Sequence, residues 1–366
     1  MASPTQSAPL ALQTKALGTL SGQWIFVGRE FAQPPSLMQR EVQIWAVPLD
    51  GGSAVQAVTY SAAVPLIEGL SDLTPYLRRQ FSPDGMRLVL SVQGELVIVD
   101  LATGVVHRLG AQGVGPVWSK DGSEIAFVSA ASQSFVSGDS RIWIVPFGGG
   151  PSREIPAHPG SRPTPIEWSP DSTQLLVSSQ DGIDVVDARS GGAVRHLDGA
   201  AWAFGHWRAA TPQIALPTVT SPGAPVVSRL VVLANSNAPE RVLLESTQTF
   251  DAGGVASPSI LFSDPRWSPV GDDILYVETR QTPTGSSALK AHVYDLSSGR
   301  DTDISVDAYQ ATWTWDGKQI VYLTPSAAFR GYGGSLRIAT RDGSGSRELQ
   351  SGGNNLFFFS VASLNY

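Results

Sequence analysis

One pattern recurs along the chain and limits what it can fold into: an aromatic-Ser-Pro-Asp-Gly turn set ahead of an apolar, β-prone run. The clean copy is Phe81-Ser82-Pro83-Asp84-Gly85, followed by Leu88-Val89-Leu90-Ser91. Echoes stand at Trp118-Ser119-Lys120-Asp121-Gly122, Trp168-Ser169-Pro170-Asp171-Ser172, Trp267-Ser268-Pro269-Val270-Gly271 and Trp313-Thr314-Trp315-Asp316-Gly317, with a decayed copy at His206-Trp207-Arg208. Asp bonds to nearby backbone and Gly accepts positive φ, so each copy reads as a strand end, a tight reversal and a second strand. Because they recur on the same turn, Asp84, Asp121, Asp171 and Asp316 read as turn formers, not as metal or catalytic carboxylates.

The marker aromatics Phe81, Trp118, Trp168, Trp207, Trp267 and Trp313 lie 37 to 60 residues apart. A propeller blade of four short strands needs about 40 to 50 residues, with excess length going into loops. Six marked copies and an unmarked first one, from Trp24-Ile25-Phe26-Val27 to the Asp50-Gly51-Gly52 turn, predict a seven-bladed all-β propeller of four-stranded antiparallel blades. Six or eight blades are the alternatives. The late run Leu356-Phe357-Phe358-Phe359-Ser360-Val361 falls where an innermost strand for blade 1 is needed, so the two chain ends are expected to close the ring in one blade. Residues 1–15 read as a Ser/Pro/Ala/Gln-rich linker and 16–366 as one propeller domain.

The repeated Trp/Phe-Ser-Pro-Asp-Gly turn, strongest at Phe81, Trp118 and Trp168, resembles the WD-like repeat of the TolB-type propeller family. It is also similar to the propellers attached to prolyl-oligopeptidase-like peptidases. The resemblance spans roughly residues 16 to 361. It implies a non-enzymatic, protein- or peptide-binding module of the bacterial cell envelope, periplasmic or extracellular; a cytoplasmic location stays open.

Composition narrows the chemistry. With net charge −7 and pI ≈ 5.2, the chain lacks the basic footprint that nucleic acid or an anionic membrane requires. The absence of cysteine excludes disulfides, thiolate metal sites and cysteine nucleophiles. No apolar run approaches a membrane span. Met1 to Pro9 has no basic n-region or apolar core; it is either a disordered terminus or what stays after an export signal or lipid anchor is removed. There is no GxSxG elbow, no HExxH and no DxDxDG loop, and His107, His158, His196, His206 and His292 are scattered. No cofactor and no metal are expected, and a monomer is.

Two surfaces are candidates for function, and binding is expected through the loop-rich one, opposite the Asp84-Gly85 turn. Propeller strands run alternately outward and back, so the Asp-Gly turns share one face while the second-to-third-strand and blade-to-blade connections share the other. That second face carries the excess length: Gly28 to Glu41, Ala130 to Arg141, Thr218 to Arg229, Glu278 to Lys290 and Thr324 to Ser335, with the connections Thr59 to Tyr76 and Ser246 to Asp264. Phe31, Phe135, Phe329, Arg330 and Tyr332 are its candidate contact residues. The alternative is the channel mouth. Residues just before the marker aromatics (Gln80, Val117, Glu167, His206, Arg266 and Thr312) should point away from the packed side, and Glu167, His206 and Arg266 would make a polar cluster there. That cluster carries the rival reading, a propeller lyase, lactonase or hydrolase with a polar or metal site.

Overall fold

Each marker aromatic is buried between its own blade and the one before it. The computed structural model describes residues 12–33, 36–63, 77–130, 140–156, 163–179, 182–198, 205–220, 225–282, 287–308, 310–324, 334–351 and 357–365. They form seven antiparallel sheets, and an apolar cluster lies between every neighbouring pair. Phe81 sits in the cluster between blades 1 and 2, Trp118 between 2 and 3, and Trp168 between 3 and 4. Trp207, Trp267 and Trp313 continue the series to the boundary of blades 6 and 7. All are at most 4% exposed. The chain is therefore a seven-bladed β-propeller.

Strand alternation explains how one sheet feeds two clusters. Leu88 and Leu90 face blade 1, whereas Val89 on the same strand faces blade 3. In Trp168 and Trp313 the indole adds a bond to the burial: their Nε1 groups donate to the carbonyls of Val117 and Arg266, both on the inner strand of the preceding blade, at 3.1 Å. The inner edge of one blade is thereby satisfied by the next.

The signature turns are built alike. In the third blade Ser119 Oγ donates to Asp121 Oδ1 (2.7 Å) and accepts from Glu124 N (2.9 Å), while the Ser123 N–H also reaches Asp121. The same three-way lock recurs at Ser169/Asp171 and Thr314/Asp316. Ser172 takes the glycine position at φ +59°, and its hydroxyl accepts the Asp121 N–H at 3.0 Å, joining two neighbouring turns.

Three expectations need correction. Blade 2 has no inner strand running into Phe81: a one-turn helix, Leu77–Gln80, stands there, and Phe81 makes only an isolated bridge to Leu88. The helix keeps Leu77 in the core and turns Arg79 across the ring to the Gly205 carbonyl at 3.1 Å, a reach to blade 5 that a paired strand would not give. The supposed loop Gly28 to Glu41 is mostly a long hairpin, with strands Gln23–Gln33 and Ser36–Pro48 in register. Glu278 to Lys290 is likewise largely paired, through Asp273–Gln281 and Ser287–Asp295. Their polar residues read as loop, but a ladder needs only backbone donors and acceptors.

The ring closes through both chain ends. Phe357–Asn365 pairs antiparallel with Gln23–Gln33 as the innermost strand of blade 1. Leu12–Thr14, within the stretch read as linker, adds a short strand to the outer edge of that blade. Among the described residues no helix is long and apolar enough to cross a membrane.

Candidate functional site

Glu167, His206 and Arg266 line one cavity together with residues of the signature turns. Each is the next-to-last residue of its inner strand, one before a marker tryptophan, and the inner strands of blades 4 and 6 are irregular just ahead of them: the register shifts between Pro165 and Glu167 and between Ser263 and Arg266. A bulge turns a side chain out of strict alternation. At the second of these Asp264 adopts φ +47°, a conformation Asp tolerates better than most residues, and its carboxylate takes Arg266 through Nε and Nη2, each at 3.1 Å.

Glu167 is buried, 3% exposed, and fully engaged. Oε1 accepts from Lys120 Nζ at 2.6 Å and Oε2 from the Trp207 backbone N–H at 2.9 Å. His206 Nδ1 accepts the Trp267 N–H at 3.3 Å, which places the ring proton on Nε2, 3.7 Å from Glu167 Oε1. Glu167 and His206 therefore cap backbone donors on the next blade's inner edge, blade 4 to 5 and blade 5 to 6.

This packing sets their protonation. Burial alone would raise the Glu167 pKa, but the neighbouring His206, Lys120 and Arg79 outweigh it and hold the carboxyl far below its usual range. Burial pushes His206 down from its ordinary 6.5 to about 3; Glu167 opposes this, while Arg266, Lys120 and Arg79 reinforce it. A histidine kept neutral in the fold but protonated in the unfolded chain costs stability as pH falls through the window between those values. Stability should accordingly drop by about 2 kcal/mol from pH 7 to pH 5 on account of this ring. His206→Asn, which retains an acceptor for Trp267, should flatten that slope in urea unfolding followed across pH; an unchanged slope would mean that His206 already carries its proton in the fold.

Around the cluster lies a cavity of about 550 Å³. Its rim repeats: Pro83, Lys120, Pro170, Ala209, Pro269 and Trp315 all occupy the third position of their blade's turn motif. The floor is Glu167, His206, Arg266 and Thr312 with Arg78 and Arg79 from the blade 2 helix. Trp315 is 43% exposed, and the Arg78 guanidinium lies 6.0 Å from its ring centroid, near enough for a cation–π contact. Sequence reasoning missed Arg78, Arg79, Lys120 and Trp315. The signal was present: Lys120 and Trp315 stand where the motif has proline, and Arg78-Arg79 precede its clean copy with only Gln80 between.

On the loop-rich face, Phe31 lies on a strand, paired with Glu41. Phe135, Phe329, Arg330 and Tyr332 lie outside the described residues. That face does expose Phe250 (47%) and Val255 (59%), on the turn linking blades 5 and 6. Among the described residues no group of three or more histidine, aspartate or glutamate side chains is placed to share a metal ion.

No family model and no curated protein matches this chain. Solved structures do. An oligogalacturonate lyase in complex with manganese is 13% identical with TM-score 0.54, covering 92% of this chain and 87% of its own. The dihydro-heme d1 dehydrogenase NirN in complex with DHE is 13% identical with TM-score 0.51, covering 100% and 83%. TolB from Acinetobacter baumannii is 17% identical with TM-score 0.45, covering 93% and 82%. At these identities the likeness is one of fold, and a lyase and a dehydrogenase on one fold do not choose a chemistry for this chain.

Proposed function

We propose that the protein is a non-enzymatic binding module that takes a protein or peptide segment at the signature-turn mouth of its channel. The carrying observation is the state of the Glu167–His206 pair. A general acid or base works best with a pKa near the operating pH, and here the carboxyl is held far below that range and the imidazole at about 3. Both groups are already spent on capping Trp207 and Trp267. What is left for a ligand is a rigid cavity with a proline- and tryptophan-bearing rim, a form suited to recognition. A periplasmic or extracellular setting belongs to the same proposal and rests on the resemblance of the repeat alone.

The test is partner capture from the native organism with a Lys120→Ala/Trp315→Ala variant. It should lose the partner at least about tenfold, as loss of anchoring contacts at a hot spot does, while Phe250→Ala on the opposite face retains it. Retention by the double variant would exclude the mouth, and loss by Phe250→Ala alone would move binding to the loop-rich face.

A further inference from the structure

A histidine stands at each end of the boundary between blades 5 and 6. At the inner end His206 of blade 5 accepts the Trp267 N–H of blade 6. At the outer end His292, on the third strand of blade 6, is 8% exposed and lies nearly parallel to the Tyr276 ring, with centroids 5.2 Å apart at 22°. Tyr276 shares the boundary's apolar cluster with Trp267 and with Leu230 and Val232 of blade 5. Both nitrogens of His292 meet carboxylates: Nδ1 is 3.2 Å from Asp301 Oδ2, and Nε2 is 3.8 Å from Glu278 Oε2. An ionised carboxylate only accepts, so Nδ1 carries a proton, and the Tyr276 hydroxyl donates to the same Asp301 oxygen at 3.0 Å. Nε2 is buried and has no hydrogen-bond partner. In a neutral ring its lone pair would face the Glu278 carboxylate; in the imidazolium an N–H does.

The surroundings favour the charged ring. Burial works against it, but Asp301, Glu278 and Asp303 outweigh burial and raise the His292 pKa from its ordinary 6.5. A stacked phenol also suits a cation. Strand pairing puts Arg280, Lys290 and Asp307 on the same side of the blade 6 sheet, and Lys290 joins Asp303 at 3.1 Å. The inner strand adds Ile260 and Phe262 there. From blade 5 the register brings Arg241, opposite Val232, among the uncharged Ser228, Leu230, Leu244 and Ser246. Asp251, on the turn linking the two blades, is held by the Gly253 and Val255 N–H groups of its own turn.

We propose that His292 is an ionic latch: as the imidazolium it ties Glu278 of the second strand and Asp301 of the outer strand around Tyr276, and loss of its proton at alkaline pH loosens the blade 5–6 boundary. By linkage, a group whose pKa is higher in the fold than in the unfolded chain gives its full stabilisation below the unfolded value and loses it as pH rises through the folded one. For His292 that loss begins near 6.5 and is complete above its raised pKa. His206 runs the other way, since the fold takes its pKa down to about 3. The boundary is therefore tightest around neutrality, with one histidine loosening it on the acid side and the other on the alkaline side.

Two measurements on the full chain test this. In a nuclear magnetic resonance titration the His292 ring, assigned by the signal that His292→Gln removes, should show a midpoint above 6.5, and Asp301→Asn should move it down. Hydrogen exchange read by mass spectrometry, corrected for intrinsic base catalysis, should show protection of Ser287–Asp295, Arg300–Asp307 and Val227–Leu233 falling between about pH 6.5 and about pH 9. The fall should exceed that of the blade 4 strand Gln174–Ser178 by at least about threefold, the gain that charge adds to one hydrogen bond. His292→Gln should abolish the excess and show the lower protection already at pH 6.5. Should that variant not fold, Asp301→Asn carries the same comparison and leaves the ring in place. A His292 midpoint at or below 6.5, an equal loss of protection in blades 4 and 6, or an excess that persists in His292→Gln would each overturn the latch.

Discussion

Replacing Trp168 by alanine should destabilise the protein by about 3–5 kcal/mol, the range for emptying a buried tryptophan site. The indole is fully buried, in a cluster that joins Val117, Ala126, Ile142 and Ile144 of blade 3 to Leu175, Val177 and Val186 of blade 4. Its loss leaves a void between two sheets whose backbones are fixed by their own ladders, so little collapse can offset it. It also removes the donor to the Val117 carbonyl. Trp168→Phe separates the contributions: it keeps most of the apolar contact and deletes the hydrogen bond, and should cost less than half as much. Urea unfolding monitored by circular dichroism measures both. A Trp168→Ala protein with the wild-type midpoint would mean that the repeated aromatics do not hold the blades together.

That regularity is why the fold was legible and the site only partly so. Six of the clusters between sheets each hold one large aromatic at the same place in the repeat, and that leaves a periodic trace: Phe81, Trp118, Trp168, Trp207, Trp267 and Trp313. Glu167, His206 and Arg266 were within reach because they are tied in sequence to those markers. The job that Glu167 and His206 share, capping the next blade's backbone, was not, since it depends on which N–H groups the neighbouring inner strand leaves open. Arg78 and Arg79 were hidden for a different reason. Alternation places strand residues, and blade 2 puts a helical turn where the repeat calls for a strand. Lys120 and Trp315 show the converse. Where every copy of a motif does the same structural work, a departure that leaves the turn intact is free to serve something else, and both departures line the cavity around Glu167 and His206. Polar stretches such as Arg29-Glu30 and Gln39-Arg40-Glu41 gave no strand signal because backbone pairing itself needs no apolar pattern.

The boundary between blades 7 and 1 carries the other large effect. Among the described residues its cluster sets Ile25, Val27 and Val47 against Val321, Leu323, Leu336 and Ile338. Closure there depends on Phe357–Asn365, which pairs along Gln23–Gln33 from Gln23 with Asn365 to Glu30 with Phe357 and also contacts the blade 2 helix and the inner strand Gln310–Trp313 of blade 7. A chain ending at Ser351 should therefore fail to give a soluble, cooperatively folding monomer. Losing some eight ladder bonds at about 1 kcal/mol each would consume most of the 5–15 kcal/mol that stabilises a typical domain. It would also expose Gln23–Gln33 as an unpaired inner edge, open to pairing with another chain. Size-exclusion chromatography and thermal unfolding of the truncated protein report the two consequences. Adding back a synthetic 352–366 peptide should restore part of the monomer peak, since the strand enters an edge that the rest of blade 1 already defines. A truncated monomer that melts at the wild-type temperature would show that the ring holds without this strand, and that the Ile25–Val321 cluster alone closes it.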